Sequence, residues 1–162
     1  MTIPQFDGFE PKLEHLFDMH ADLEPPQLIG EAPAGTRQIY IVKSGYLDGP
    51  RLRGELLPGG GDWATIRPDG TVQLDVRATL KTDDGALVYA YYSGYIVDVM
   101  KAAGRVFAGE DVALGDYSFY TNPMFQTGEE RYEWLNRIVA IGRGRIVAGG
   151  VEYRVWALTN PS

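Results

Sequence analysis

Turn-forming residues punctuate this chain at short intervals, and that spacing constrains its fold more than any other feature. Asp48-Gly49, Pro58 to Gly61, Pro68-Asp69-Gly70, Asp83-Asp84-Gly85, Gly142 to Gly144 and Gly149-Gly150 all reverse a backbone at low cost. Between them lie runs rich in β-branched and aromatic residues: RQIYIVKSGYL, DWATIR, TVQLDVRATLKT, ALVYAYYSGYIV, DYSFYT, EWLNRIVAIG and VEYRVWAL. Short runs at this spacing predict an antiparallel meander, hence a sandwich or a barrel. One stretch, VDVMKAAG over 97–104, reads as a helix of about two turns that stops at Gly104. The segment from there to Gly115 reads as a covering loop. No internal repeat, low-complexity tract or linker divides the chain, so one domain over 1–162 is expected.

Turn chemistry also sets the register of two hairpins. Pro68-Asp69-Gly70 and Asp83-Asp84-Gly85 each suit a three-residue loop, a type I turn closed by a left-handed glycine. Across the first hairpin Arg67 then faces Thr71, Thr65 faces Gln73 and Trp63 faces Asp75. Across the second, Thr82 faces Ala86, Thr79 faces Tyr89 and Arg77 faces Tyr91. Side chains alternate along strands. One sheet face therefore collects Trp63, Thr65, Gln73, Asp75, Arg77, Thr79, Tyr89, Tyr91 and Ser93. The other collects Ala64, Ile66, Val72, Leu74, Val76, Ala78, Leu80, Val88, Ala90 and Ile96, together with Tyr92. Two arrangements fit. The polar face is solvated, as is common on antiparallel sheets. Or it lines a polar, aromatic-walled cavity inside a barrel whose apolar face is covered from outside.

The polar face supplies most of the candidates for chemistry. Asp75 and Arg77 lie two apart on one strand face, where Arg77 would keep Asp75 ionised and stabilise a developing oxyanion. The alternative is a structural ion pair. Asp62, beside three glycines at a strand mouth, reads equally as a general base or as a turn cap. Tyr89, Tyr91 and Tyr120 are candidates for proton donation or ring stacking, against the plainer role of core tyrosines with one hydrogen bond. Trp134 and Asn136 fall on one face of a late strand. There Asn136 either orients a ligand carbonyl or ties a loop.

Several chemistries find no support. The chain carries 22 acidic and 15 basic residues, a net charge of −7 with neutral histidines, and such a surface repels phosphate backbones. Nucleic acid is not expected as a partner. There is no cysteine, so disulfides, thiolate ligands and a cysteine nucleophile are excluded. His15 and His20 are the only histidines, and their spacing suggests no metal site. His15 shares a strand face with Leu13 and Phe17 and reads as a core histidine, with a catalytic base as the alternative. GRGRIV lacks the third glycine of a dinucleotide fingerprint, PGGG lacks the Lys-Ser/Thr of a phosphate loop, and no Gly-x-Ser-x-Gly elbow is present. No cofactor is expected. MTIPQFDGFEPKLEH has neither the basic start nor the apolar stretch of a signal peptide. No run approaches the roughly 18 apolar residues of a membrane span. A cytoplasmic location without membrane association is expected.

The ordered segments LRGELLPGGGDWATIRPDGTVQLDVRATLKTDDGALVY, YTNPMFQTGEERYEWLNRIVAIGRG and VEYRVW resemble the family catalogued as domain of unknown function 3237, also an uncharacterised UPF family. The resemblance runs from about residue 12 to residue 158. It implies an all-β fold: a small antiparallel β-barrel of lipocalin-like (calycin) build, here with one short helix. It also favours the cavity arrangement. Asp62, Trp63, Asp75, Arg77, Trp134 and Asn136 all sit in its signature segments. Some members are associated with natural-product pathways, where cofactor-free ring closure such as hydroalkoxylation has been ascribed to the fold. The expected function is therefore small-molecule binding with acid–base chemistry (cyclisation, isomerisation, or elimination and addition) on an aromatic or polyketide-like metabolite. Asp62, Asp75 and Arg77 would be the polar actors, and Trp63, Tyr89, Tyr91, Tyr120, Trp134 and Asn136 would shape the pocket. A non-catalytic lipocalin-like carrier is the alternative. A homodimer is expected, because an apolar-coated or open-edged barrel needs cover.

Overall fold

The computed structural model describes Gln5, residues 8–110 and residues 112–161, the Phe107 side chain excepted. Eleven strands form one sheet: β1 (Lys12–Leu23), β2 (Gln27–Ala32), β3 (Gly35–Asp48), β4 (Gly54–Leu56), β5 (Gly61–Ile66), β6 (Val72–Thr82), β7 (Leu87–Val97), β8 (Ser118–Thr121), β9 (Met124–Gln126), β10 (Ala140–Val147) and β11 (Gly150–Thr159). Eight of them close a ring in the order β6-β5-β3-β1-β11-β10-β8-β7 and back to β6, every pairing antiparallel. The short strands β2, β4 and β9 pair alongside the ring.

Both hairpins close as their turn residues dictate. The Arg67 N–H donates to the Thr71 carbonyl at 2.9 Å, and Gly70 takes the left-handed φ of 82°. The Thr82 N–H donates likewise to Ala86, with Gly85 at φ 90°. Thr65 therefore faces Gln73, Thr79 faces Tyr89 and Arg77 faces Tyr91, as expected.

The direction of the faces is the reverse of the cavity arrangement. Leu74, Val76, Ala78, Leu80, Val88 and Ala90 are buried inside the barrel, packed with Phe17, Met19, Phe119, Phe125 and Val155. The polar face points outward. An eight-stranded barrel has an interior just wide enough for its own side chains. The arrangement that removes most apolar area from water puts the aliphatic face there and leaves Asp75 and Arg77 hydrated.

Two helical segments close the barrel ends. The helix α1 (Val99–Phe107) buries Val99, Ala102 and Val106. It runs past Gly104, the expected stop, because its apolar stripe continues to Val106 at helical spacing. At the opposite end of β7, a 3-10 helix over Glu130–Arg137 buries Leu135. EWLNRIVAIG is thus not one strand: β10 begins only at Ala140. In β1 the register shifts between His15 and Phe17, so that Leu16 and Phe17 are both buried. This turns His15 outward, where its Nε2 lies 3.0 Å from Asp18 Oδ1, and it is not a core histidine. Among the described residues no helix is long and apolar enough to cross a membrane.

Candidate functional site

The three glycines ahead of Asp62 position it. Gly59 has φ 98°, open to glycine but strained for other residues. A Cβ on Gly60 would stand 2.4 Å from the Arg77 carbonyl oxygen, and one on Gly61 2.6 Å from that of Tyr40. The chain can enter β5 this close to β3 and β6 only without side chains. The next residue is Asp62, whose side chain points into the barrel.

Asp62 lies opposite Tyr40 on β3 and Val76 on β6, and Val76 lies opposite Tyr92 on β7. One inward row thus carries a carboxylate between two phenols, in a barrel that is otherwise largely apolar. Asp62 also interrupts the ladder. Trp63 and Asp75 would ordinarily exchange backbone hydrogen bonds, but the Asp75 N–H donates to Asp62 Oδ1 at 2.9 Å. The vacated Trp63 carbonyl accepts from the Arg37 guanidinium at 2.5 Å instead. Two local polar groups are thereby satisfied while the carboxylate is held facing inward.

Burial pushes the Asp62 carboxyl up to about 6, against the opposing pull of the Asp75 N–H; the Asp75 charge adds to the rise and the Arg37 charge offsets part of it. Around it stand three tyrosines. Tyr153 on β11 packs edge-on to Tyr92, ring centroids 5.7 Å apart. Burial raises both phenols, and the Asp62 charge raises them further. Tyr40 is raised for the same two reasons, and its hydroxyl donates to Gln38 Oε1 at 2.5 Å. All three therefore stay protonated donors across the physiological range. Asp62, Tyr40 and Tyr92 are only half-buried, so the row keeps contact with solvent. Deeper in, a cavity of about 20 Å³ between Tyr92, Tyr153, Phe17, Phe125 and Thr121 has room for one water.

The other expected site residues fall elsewhere. Asp75 and Arg77 form an outer-face ion pair at 3.8 Å, with 56% and 58% of their side chains exposed. Pairs of this kind contribute little. Trp63 shares that outer face, and Tyr89 and Tyr91 stack there at 5.2 Å. Tyr120 is exposed beneath the Arg143 guanidinium. Trp134 and Asn136 sit on the 3-10 helix, not on a strand. Trp134 carries the Arg51 guanidinium 4.2 Å from its ring centre. Asn136 accepts from the Thr127 N–H at 2.8 Å and donates to the Thr127 carbonyl at 3.0 Å, which ties the loop after β9. Of the expected set, only Asp62 faces the interior cluster. Tyr40, Tyr92 and Tyr153 were missed as site residues. The available signal was Tyr92, the one phenol on an aliphatic face, and the shared parity of Asp62 with Ala64 on that face. Among the described residues no group of three or more acidic or histidine side chains could hold a metal.

Residues 11–158 match the family described as "Protein of unknown function (DUF3237)". The chain belongs to this family. A UPF0311 protein of Clostridium acetobutylicum is 34% identical over 127 residues, covering 78% of this chain and 80% of that one. The crystal structure of a conserved protein of unknown function from Rhodopseudomonas palustris superposes with a TM-score of 0.84 at 28% identity, covering 96% of this chain and 99% of that chain. A more distant relative is a hydroalkoxylation enzyme of Penicillium herquei, 26% identical over 132 residues, covering 82% of this chain and 73% of that protein. A fungal hydroalkoxylation enzyme is thus among the distant relatives of this chain.

Proposed function

We propose that this protein is a cofactor-independent acid–base enzyme that closes a ring on an aromatic or polyketide-like molecule by adding an O–H across a conjugated C=C bond. The observation that carries this reading is Asp62, an inward carboxylate in an apolar barrel with its pKa near 6, set among three protonated phenols. Such a carboxylate is ionised at neutral pH and poised to exchange protons. With the substrate at the solvent-facing side of the half-buried row, since the cavity deeper in has room for one water only, Asp62 would take the proton of the substrate hydroxyl, and the freed oxygen would attack the alkene carbon. Charge would then develop on the conjugated carbonyl oxygen, where Tyr92, backed by Tyr153, donates a hydrogen bond. The proton returns from Asp62 to the adjacent carbon, so addition is complete without any redox partner. Asp75 would act as a positioning residue through its N–H. The hydroalkoxylation activity of the Penicillium herquei relative supports the reaction class.

The test is turnover of a panel of phenols that carry an ortho α,β-unsaturated ketone side chain, followed by chromatography and NMR. The wild type should give the cyclic ether, and Asp62→Asn should lose at least about 100-fold in rate while keeping affinity. Equal turnover in both forms would refute the role of Asp62. Saturable binding with no turnover in either would favour the carrier reading instead. We further propose a homodimer joined through the outer aromatic face that carries Tyr89, Tyr91, Tyr95 and Tyr120.

A further inference from the structure

A wide depression lies on the outer face of the barrel. It is a groove of about 600 Å³ across β3, β1, β11 and β10, walled on one side by Leu114 in the segment between α1 and β8. That volume is in the range of small-molecule sites, whereas the inner cavity holds one water. Four strands at about 4.8 Å spacing give the floor a width of roughly 14 Å, enough for a planar molecule of one or two rings.

The groove carries three arginines, Arg143, Arg145 and Arg154, and three carboxylates, Asp18, Asp48 and Glu152. Arg143 and Arg154 stand directly opposite each other on β10 and β11, a pairing that like charges ordinarily disfavour. Arg154 is neutralised by two bonds of 2.7 Å to Asp18, and Arg145 is paired with Glu152 at 2.5 Å. Arg143 is different. Among the described residues it meets only the Leu114 carbonyl at 3.3 Å and the face of Tyr120 at 5.6 Å, and no carboxylate. Trp156 lies on the same face, diagonal to Arg143, because Arg154 is opposite Arg143 and Ile141 is opposite Trp156. Such diagonal neighbours are roughly 7–8 Å apart. At the far wall Tyr46 stacks on His20 at 5.4 Å and remains 57% exposed.

We propose that this groove is a second small-molecule site, distinct from the inner cluster, and that it binds a planar aromatic carboxylate. The guanidinium fork of Arg143 takes the carboxylate, whose geometry it matches with two parallel hydrogen bonds. Trp156 receives the ring. The opposed arginines, and an Arg143 that meets no carboxylate among the described residues, are then explained together: the ligand supplies an anion to the pair.

Cinnamate is a suitable probe, with cinnamyl alcohol as its neutral counterpart. Calorimetry and amide chemical shifts should show cinnamate binding with a Kd below about 1 mM, with shifts centred on β10 and β11. Arg143→Gln should weaken it about tenfold, the loss of one charge-assisted contact, and Trp156→Ala by a similar factor. Cinnamyl alcohol should bind at least about tenfold more weakly, and Asp62→Asn should leave cinnamate affinity unchanged. Unchanged affinity in Arg143→Gln, equal binding of the alcohol, or no binding below about 1 mM would overturn the proposal. Loss of binding in Asp62→Asn would place the ligand inside the barrel and overturn it too. If Arg143→Gln melts early, the comparison of acid with alcohol on the wild type still decides.

Discussion

Asp62 carries a cost that titration should expose. Its native carboxyl titrates near 6, against 3.8 for an ordinary aspartate. Between those values the native state holds more protons than the unfolded chain, so stability falls as pH rises from about 4 to 6 and stays lowered above. The penalty should be of order 1–2 kcal/mol after local relaxation. Asp62→Asn keeps an acceptor for the Asp75 N–H and removes the buried charge. Its melting temperature should exceed the wild type's by about 3–6 °C at pH 8, and the gap should close near pH 4. A variant that is more stable but inactive is the usual signature of a functional residue. A base that must be ionised also gives a rate that rises with pH and levels off above about 6. Asp62→Glu should retain this ascending limb, and a flat pH–rate profile would argue against the carboxylate.

Single elements were legible to different degrees. The hairpin registers could be read because turn type is local: a glycine that needs positive φ at a set position fixes the pairing on both sides. Gly70→Ala should therefore cost about 1 kcal/mol in thermal stability and leave activity intact, since the turn tip touches nothing else. Gly61→Ala should behave differently. Its Cβ would meet the Tyr40 carbonyl, pushing β5 from β3 and carrying Asp62 with it. It should cost about 2 kcal/mol or more and lower turnover as well, as paired melting and rate measurements would show. The segment of Trp134 and Asn136 reads as a strand because it is short and partly apolar, where periodicity cannot separate a strand from a tight helix. The decisive factor was Leu135 filling one barrel end.

At the scale of the whole molecule, the exposed aromatic face stands out on the barrel's outer surface. Tyr89 and Tyr91 stack with each other, and Tyr95 and Tyr120 are each about half exposed. Rings of this kind, with apolar bodies and polar tips, are enriched at interfaces. Sedimentation should find a dimer, and Tyr91→Glu with Tyr95→Glu should convert it to a folded monomer. A wild-type monomer at millimolar concentration would end that proposal. The alternating pattern of β6 and β7 was enough to define two faces, one aliphatic and one polar, because side chains in a strand repeat every two residues. Alternation is symmetric, however, and says nothing about which face is concave. Only closure of the ring settled that, by enclosing the face that gained most from leaving water. The same closure took Tyr40, Tyr92 and Tyr153 from strands distant in sequence and set them around Asp62. Such a cluster depends on contacts across the barrel, and no local pattern in the chain records them.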